Sequence, residues 1–241
     1  MLSNLPEPKQ DPILSLSVAY RNDPRTEKVD LGIGVYRNSN GDTPIMKAIA
    51  LAQEHVASTQ KTKAYVGLAG CEEFNQSMVD LLLKGTAAYD RVSAIQTPGA
   101  SGALRMLGDL LKVAQPNTTI WLSNPSYVNH QPVMEAAGLK VKHYRYFSPS
   151  TKQVDVTAML EDLSLAGSED VVLLHGCFPN PTAAALVFNS CSALTDLATK
   201  PVFPPFVSIS YPVFCYVLYY VSYTPTPPSS PLQLLSSLSF L

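Results

Sequence analysis

The sequence predicts an α/β fold with a mostly parallel sheet covered by helices on both faces. Two observations carry this. From Val92 to Gly176, β-type runs alternate with helix-length amphipathic runs, and the β-type runs open into turns rich in Gly, Pro or Asn. A third observation is size: 241 residues suffice for one large domain or two small ones.

Residues 1–30 are polar and Pro-rich, with one apolar patch from Ile13 to Val18, and read as an arm lying on another surface. "VDLGIGVY" (29–36) reads as a strand or extended segment in which Gly32 and Gly34 permit close backbone approach. "TPIMKAIALAQEHVAS" (43–58) is expected to be a helix, with Thr43 as N-cap, Pro44 at the first helical position, and Ile45, Ile49, Ala52 and Val56 on one face. "CEEFNQSMVDLLLKG" (71–85) is a second helix, with Phe74, Met78 and Leu82 as its stripe and Gly85 at its end.

The alternation then begins. "VSAIQT" (92–97) is expected as a strand and "ALRMLGDLLKVA" (103–114) as a helix. "TIWLS" (119–123) is a strand, followed by a helix around Gln131–Ala137 and a strand "LKVKHYRYF" (139–147). Asp155 caps the helix "VTAMLEDLSLA", and "DVVLLHG" (170–176) is a strand. Right-handed crossovers place all strand C-ends on one edge, so "TPGASG", "SNPSYVNH" and "HGCFPNPT" are expected to open there together.

These loops suggest chemistry. In "QTPGASGALR" the chain passes through a Gly-containing turn into a helix, whose N-terminal amides and dipole favour an anion; a phosphate is the natural guest, and Ser101 acting as a plain N-cap is the competing reading. The pattern is neither a P-loop nor GxGxxG. Tyr127 is either a lid on the core or a platform for a ring, and His130 follows three residues later. Ser126 is a candidate cap for the next helix. His175, ending a buried strand, reads as a satisfied core residue. Asn180, held between Pro179 and Pro181, presents an amide in a fixed direction.

Composition excludes other classes. A net charge of −2 without clustered Lys or Arg speaks against nucleic acid as a partner. Cys71, Cys177, Cys191 and Cys215 show no metal spacing and are expected to be reduced thiols in a cytoplasmic protein. The N-terminus matches neither a secretory signal nor an Arg-rich transit peptide.

Taken in order, "DPILSLSVAYRNDPRTEKVDLGIGVYRN", "KAYVGLAG", "QTPGASGALR", "SNPSYVNH" and "VVLLHGCFPNPT" resemble the aspartate/aromatic aminotransferases, the fold-type I pyridoxal-phosphate enzymes, from about Asp11 to Thr182. The resemblance implies an incomplete aminotransferase large domain, an α/β/α sandwich, with an N-terminal arm and part of the small domain over residues 1–40. The partial large domain would span 41–200, and an aberrant, uncharged tail 201–241. It implies pyridoxal 5′-phosphate as cofactor and transamination between an amino acid, aspartate or aromatic, and a 2-oxo acid, in a homodimer. By family position, Ala100, Ser101 and Gly102 would cradle the phosphate, Tyr127 would stack on the ring, and Asn180 would bind the ring O3′. Gly34 would lie along the substrate together with Tyr127 and Asn180. Tyr65 would reach the phosphate of the other subunit, Tyr211 would contact the cofactor, and His130 and His175 would stand behind the ring contacts.

The sequence also departs from the family. Ala183 stands where the family has Gly after "NPT", and Tyr127 where aspartate enzymes usually have Trp. Counting on from Asn180, the position of the Asp that grips the ring nitrogen falls at Ser208. No Lys follows Lys200 and no Arg follows Arg145, so the family's cofactor-bearing Lys and carboxylate-binding Arg have no counterpart. The chain is therefore expected to be inactive as written, its alternative role being a non-catalytic fragment that pairs with a full-length subunit. A third option is another phosphate-ligand α/β enzyme using His130 or His175. Three origins compete for the tail: a shifted reading frame or read-through, a membrane segment within Val202–Val221, which its prolines oppose, and an interaction tail. Uncharged Pro/Ser/Leu bias favours the first. Loss of later strands is expected to leave Val171–Leu174 as an exposed sheet edge.

Overall fold

The structure is a computed structural model that describes residues 12–30, 32, 34–86, 88–176, 179–199, 205–210 and 236–239. The chain forms two compact units, Met1–Ala64 and Tyr65–Leu241.

Among its described residues the first unit holds two helices. Helix α1 (Pro12–Asn22) begins on a proline, whose fixed φ suits a first helical turn. Lys28 Nζ closes the turn after it by donating to the carbonyls of Tyr20 and Asp23 at 2.8 and 2.6 Å. This helix lies where the sequence suggested only an apolar patch in an arm. Helix α2 (Lys47–Thr59) starts later than expected. Met46 is its N-cap, and Thr43 and Pro44 lie outside it. The physical reason is burial: Ile45 is 69% exposed and α2 buries none of its residues, so a longer first turn would gain no packing. The stretch 29–36 forms no strand among its described residues; Leu31 and Ile33 lie outside them.

The second unit opens with α3 (Glu72–Leu83), which buries Leu82 and ends at Gly85 with φ +85°, a left-handed geometry that glycine adopts without strain. The expected strand at 92–97 does not form. The Gln96 amide donates instead to the Ala69 carbonyl at 2.9 Å, and its side-chain Oε1 accepts from the Cys71 amide at 2.9 Å. That backbone is engaged by the turn before α3 rather than by the sheet.

From α4 (Gly99–Ala114) onward the alternation holds. Strand β1 (Thr119–Asn124), α5 (His130–Ala136), β2 (Lys140–Arg145), a small β3/β4 ribbon (Phe147–Ser148 with Gln153–Val154), α6 (Val156–Leu163) and β5 (Val171–His175) follow in order. Asp155 caps α6 as expected, accepting from the Ala158 amide at 3.0 Å. Two further elements, α7 (Phe188–Thr199) and β6 (Pro205–Ser210), and a short β7 (Ser236–Ser239) were not foreseen.

The sheet has the order β2-β1-β5-β6-β7, and every pairing in it is parallel. Strand β5 is therefore central, flanked by β1 and β6. The expectation that Val171–Leu174 forms an exposed edge is corrected, because β6 supplies the neighbour: Leu173 lies opposite Phe206 and His175 opposite Ser208.

Alternation along the strands sorts two cores. Ile120, Leu122, Leu173 and Phe206 pack with Leu104 and Leu107 of α4 and Met134 of α5. Trp121, Tyr144 and Val172 pack on the other face with Met159 and Leu163 of α6 and Leu194 of α7. Close helix packing is local: a Cβ on Gly108 of α4 would lie 2.7 Å from the Cβ of Ala137.

Candidate functional site

Parallel strands share one C-terminal edge, and the loops after β1 and β5 begin there, whereas "TPGASG" follows no strand. Asn124 ends β1 and His175 ends β5. Helix α4 packs against this sheet through Leu104 and Leu107, and a short turn joins it to the start of β1, so its N-terminus points toward the same edge.

The first turn of α4 is built from Gly99, Ala100, Ser101 and Gly102. Its N-cap is Pro98 and no side chain caps it. Ser101 sits inside the first turn rather than at the N-cap, so it is not the plain capping serine. Gly99 has φ +69°, and Thr97 Oγ1 donates to its carbonyl at 3.0 Å. A Cβ on Gly102 would lie 2.8 Å from Pro98 Cδ, so only glycine fits there without moving the turn. Exposed Ser101 and half-buried Ala100 and Gly102 leave the end of a sixteen-residue helix open to an anion.

At the C-terminal end of the sheet, β1 runs into "NPSYVNH". Ser126 does not cap α5, whose N-cap is Asn129; its Oγ instead lies 2.8 Å from His130 Nδ1. His130 is 2% exposed. The Tyr127 ring meets it edge-on with centroids 5.4 Å apart, and Asn129 Nδ2 donates to the Tyr127 hydroxyl at 3.0 Å. The His175 ring approaches the other side of His130, with centroids 5.1 Å apart. Tyr127, His130 and His175 thus form one run of rings across the ends of β1 and β5.

Both imidazoles are held uncharged. Burial, then the neighbouring His175, lowers His130 to about 4; burial lowers His175 to about 4. His175 is not the satisfied core histidine that its position suggested. Its enclosed Nε2 has no hydrogen-bond partner among the described residues.

The third loop holds Asn180, which is exposed, and both Asn124–Pro125 and Asn180–Pro181 are cis. Tyr146 ties this loop to the body, its hydroxyl donating to the Ala184 carbonyl at 2.7 Å. Ala183 has φ +56°, the left-handed region that explains why glycine would suit this position. Replacing Ala183 by Gly is expected to raise stability by about 0.5–1 kcal/mol, the relief of strain exceeding the added chain entropy; a denaturant midpoint at or below that of the parent would contradict this. Tyr146→Phe removes one hydrogen bond and should cost about 1 kcal/mol. Its loosening of the Asn180 loop would be read as faster amide exchange at 180–184 with the rest of the sheet unchanged.

Of the other predicted residues, Gly34 lies in the first unit with nothing within 4 Å of a built Cβ, and Tyr65 is fully exposed in the second. Tyr211 lies outside the described residues. Ser208 lies opposite His175 in β6. Among the described residues no group of three metal-ligating side chains exists, and no helix is long and apolar enough to cross a membrane.

A family model for aminotransferases of class I and II matches residues 26–238. The chain belongs to that family. An aromatic-amino-acid aminotransferase of Paracoccus denitrificans is 38% identical over 89% of this chain and 54% of its own length. An aspartate aminotransferase of Salmonella typhi is 37% identical, again over 89% of this chain and 55% of its own. A crystal structure of an aromatic-amino-acid aminotransferase from Burkholderia pseudomallei, described as covalently bound to pyridoxal phosphate, superposes with a TM-score of 0.84 at 30% identity. The match covers 88% of this chain and 54% of that one. This aminotransferase chain therefore spans about half the length of the curated relatives it matches. Its α/β fold is that of the family, and the family's cofactor is pyridoxal phosphate.

The residues present fit that cofactor unevenly. At the phosphate end, the uncapped turn with its crowded Gly102 suits an anion. At the ring end, Tyr127 offers an aromatic face and Asn180 an exposed amide, but among the described residues no carboxylate pairs with His175.

Proposed function

We propose that this chain carries the cofactor-binding half of an aminotransferase acting between an amino acid, aspartate or aromatic, and a 2-oxo acid, in a cytoplasmic homodimer. The observations supporting this reading are the uncapped N-terminus of α4 and the Tyr127–His130–His175 ring series across the ends of β1 and β5. Ala100, Ser101 and Gly102 bind the phosphate through backbone amides and the Ser101 hydroxyl. Tyr127 stacks on the ring and Asn180 donates to its O3′. Tyr65, fully exposed, reaches toward the phosphate of a second subunit. His130, oriented by Ser126, keeps Tyr127 in place. When bound, pyridoxal phosphate supplies an electron-withdrawing ring that stabilises the carbanion of the amino acid.

Residues 201–241 supply no lysine and residues 146–241 no arginine. Pyridoxal phosphate is expected to bind saturably, seen as induced circular dichroism, while amino-group transfer stays at the level of free cofactor. Borohydride reduction should leave no single lysine stoichiometrically modified. Absence of binding overturns the cofactor assignment; turnover with one modified lysine overturns the inactivity. The second reading, a non-catalytic fragment docking on a full-length subunit, is favoured by the unburied α2 and the exposed Tyr65. Co-purification with an intact aminotransferase would support it, and a lone chain in the same lysate would count against it.

A further inference from the structure

Asn40 is the chain's one asparagine followed by glycine. It lies in the first unit, in a tight turn from Asn38 to Asp42. The Asn38 amide donates to the Asp42 carbonyl at 2.9 Å, and the Gly41 amide donates to the Asn38 carbonyl at 3.0 Å. Gly41 takes φ +84°, the left-handed position that suits glycine in such a turn. The Asn38 side chain braces the turn, its Oδ1 accepting from the amides of Asn40 and Asp42 at 2.9 Å each. Asn38 is half-buried, whereas Ser39, Asn40, Gly41 and Asp42 are exposed.

Asparagine is a thermolabile residue, and a following glycine gives its chemistry an open path. The backbone nitrogen of the next residue, after losing its proton to hydroxide, attacks the side-chain Cγ. A C–N bond forms, the Cγ–Nδ2 bond breaks, and ammonia leaves with a proton drawn from water. Water then opens the five-membered imide at either carbonyl. The product is aspartate or, where the backbone now runs through the side chain, isoaspartate. Nothing is oxidised or reduced. No neighbour crowds Gly41, since a built Cβ would meet nothing within 4 Å. Asn124 and Asn180 precede proline, whose nitrogen has no proton to lose.

In the closed turn the Gly41 N–H is already given to the Asn38 carbonyl, and closing the imide ring consumes that N–H. The reaction therefore waits for the turn to open. The hydrogen bonds that resist opening all converge on Asn38, two on its side-chain oxygen and two on its backbone.

We propose that Asn40 is a site of spontaneous conversion to aspartate and isoaspartate, and that Asn38 sets the pace by holding the Gly41 nitrogen out of reaction. Isoaspartate adds one methylene to the backbone between positions 40 and 41 and places a new carboxylate beside Asp42. The turn then cannot close again, and the change is one-way.

The full chain is incubated at pH 8 with and without concentrated urea. The tryptic peptide 38–47, released by cleavage after Arg37 and Lys47, is then followed by mass spectrometry with fragmentation that separates aspartate from isoaspartate. Conversion at Asn40 in the native chain is expected to be faster than at any other asparagine, and about tenfold or more slower than in urea. Asn38→Ala should speed the native reaction at least about fivefold, because both side-chain bonds are lost. Asn38→Asp keeps the acceptor oxygen and should stay within about twofold of the parent. In urea all three chains should react alike, which removes any effect of sequence on the chemistry itself. Faster conversion at another asparagine overturns the site, as does no conversion at Asn40 in both the native parent and native Asn38→Ala. A native rate equal to that in urea, or equal native rates for the parent and Asn38→Ala, overturns control by the turn. Asn38→Asp as fast as Asn38→Ala overturns the part given to the Asn38 oxygen. The parent with and without urea, together with Asn38→Asp, decides the matter if Asn38→Ala does not fold.

Discussion

Lowering the pH from 7.5 to 5 should unfold this protein more readily, and the two buried histidines are the reason. In the native chain His130 and His175 are both uncharged, each lowered to about 4 by burial, with His175 adding to the effect on His130. In the unfolded chain each protonates near the usual imidazole value of about 6.5. The unfolded state therefore binds more protons throughout the interval between those values. Stability is at its full value above about 6.5 and is lost as pH falls toward 4. Each imidazole contributes about 3 kcal/mol to the loss when the whole interval is crossed. The urea midpoint should drop steadily between pH 7 and 5, and His175→Gln should flatten the curve by removing one titrating group and the repulsion on the other. A midpoint constant from pH 7.5 to 5 would show that the imidazoles are not buried as described.

The second large effect is expected from Leu173→Ala. Leu173 is fully buried in the central strand, where it packs among α4, α5, β1 and β6 residues. Truncation removes its burial and leaves a cavity that a strand fixed on both sides cannot collapse around. The cost should be about 2–5 kcal/mol. If β5 were instead a free edge, the neighbours could close in and the loss would fall below about 1.5 kcal/mol. Chemical denaturation of the parent and variant separates the two values, and with them the placement of β6 beside β5.

The middle of the fold was legible because local pattern and tertiary need agree there. Strands β1 and β5 are short runs of apolar residues buried on both faces, and Asp155 stands immediately before an amphipathic helix. Agreement fails where a strand depends on a distant partner. "VSAIQT" has strand composition, yet its Gln96 amide is taken by Ala69; "PFVSIS" looks like part of an uncharged, Pro-rich stretch, yet β5 offers it a ladder. β-propensity describes fit to a neighbour, and no neighbour is visible in one-dimensional order. The loops after β1 and β5 begin at one edge because those strands run parallel, whereas "TPGASG" follows no strand, and the glycine-like demand at Ala183 was visible as a departure from "NPT" followed by Gly. The unpaired Nε2 of His175 was not legible, since only the packing of two strands and a helix encloses that atom.

Helix α2 has one more consequence. A helix with no buried residue has little packing to hold it closed, so its opening costs little more than the breaking of its own ladder. Lys61 and Lys63 follow it directly, exposed and outside any regular element, just before the boundary at Ala64. A brief trypsin pulse should cut there before it cuts within the sheet-bearing unit.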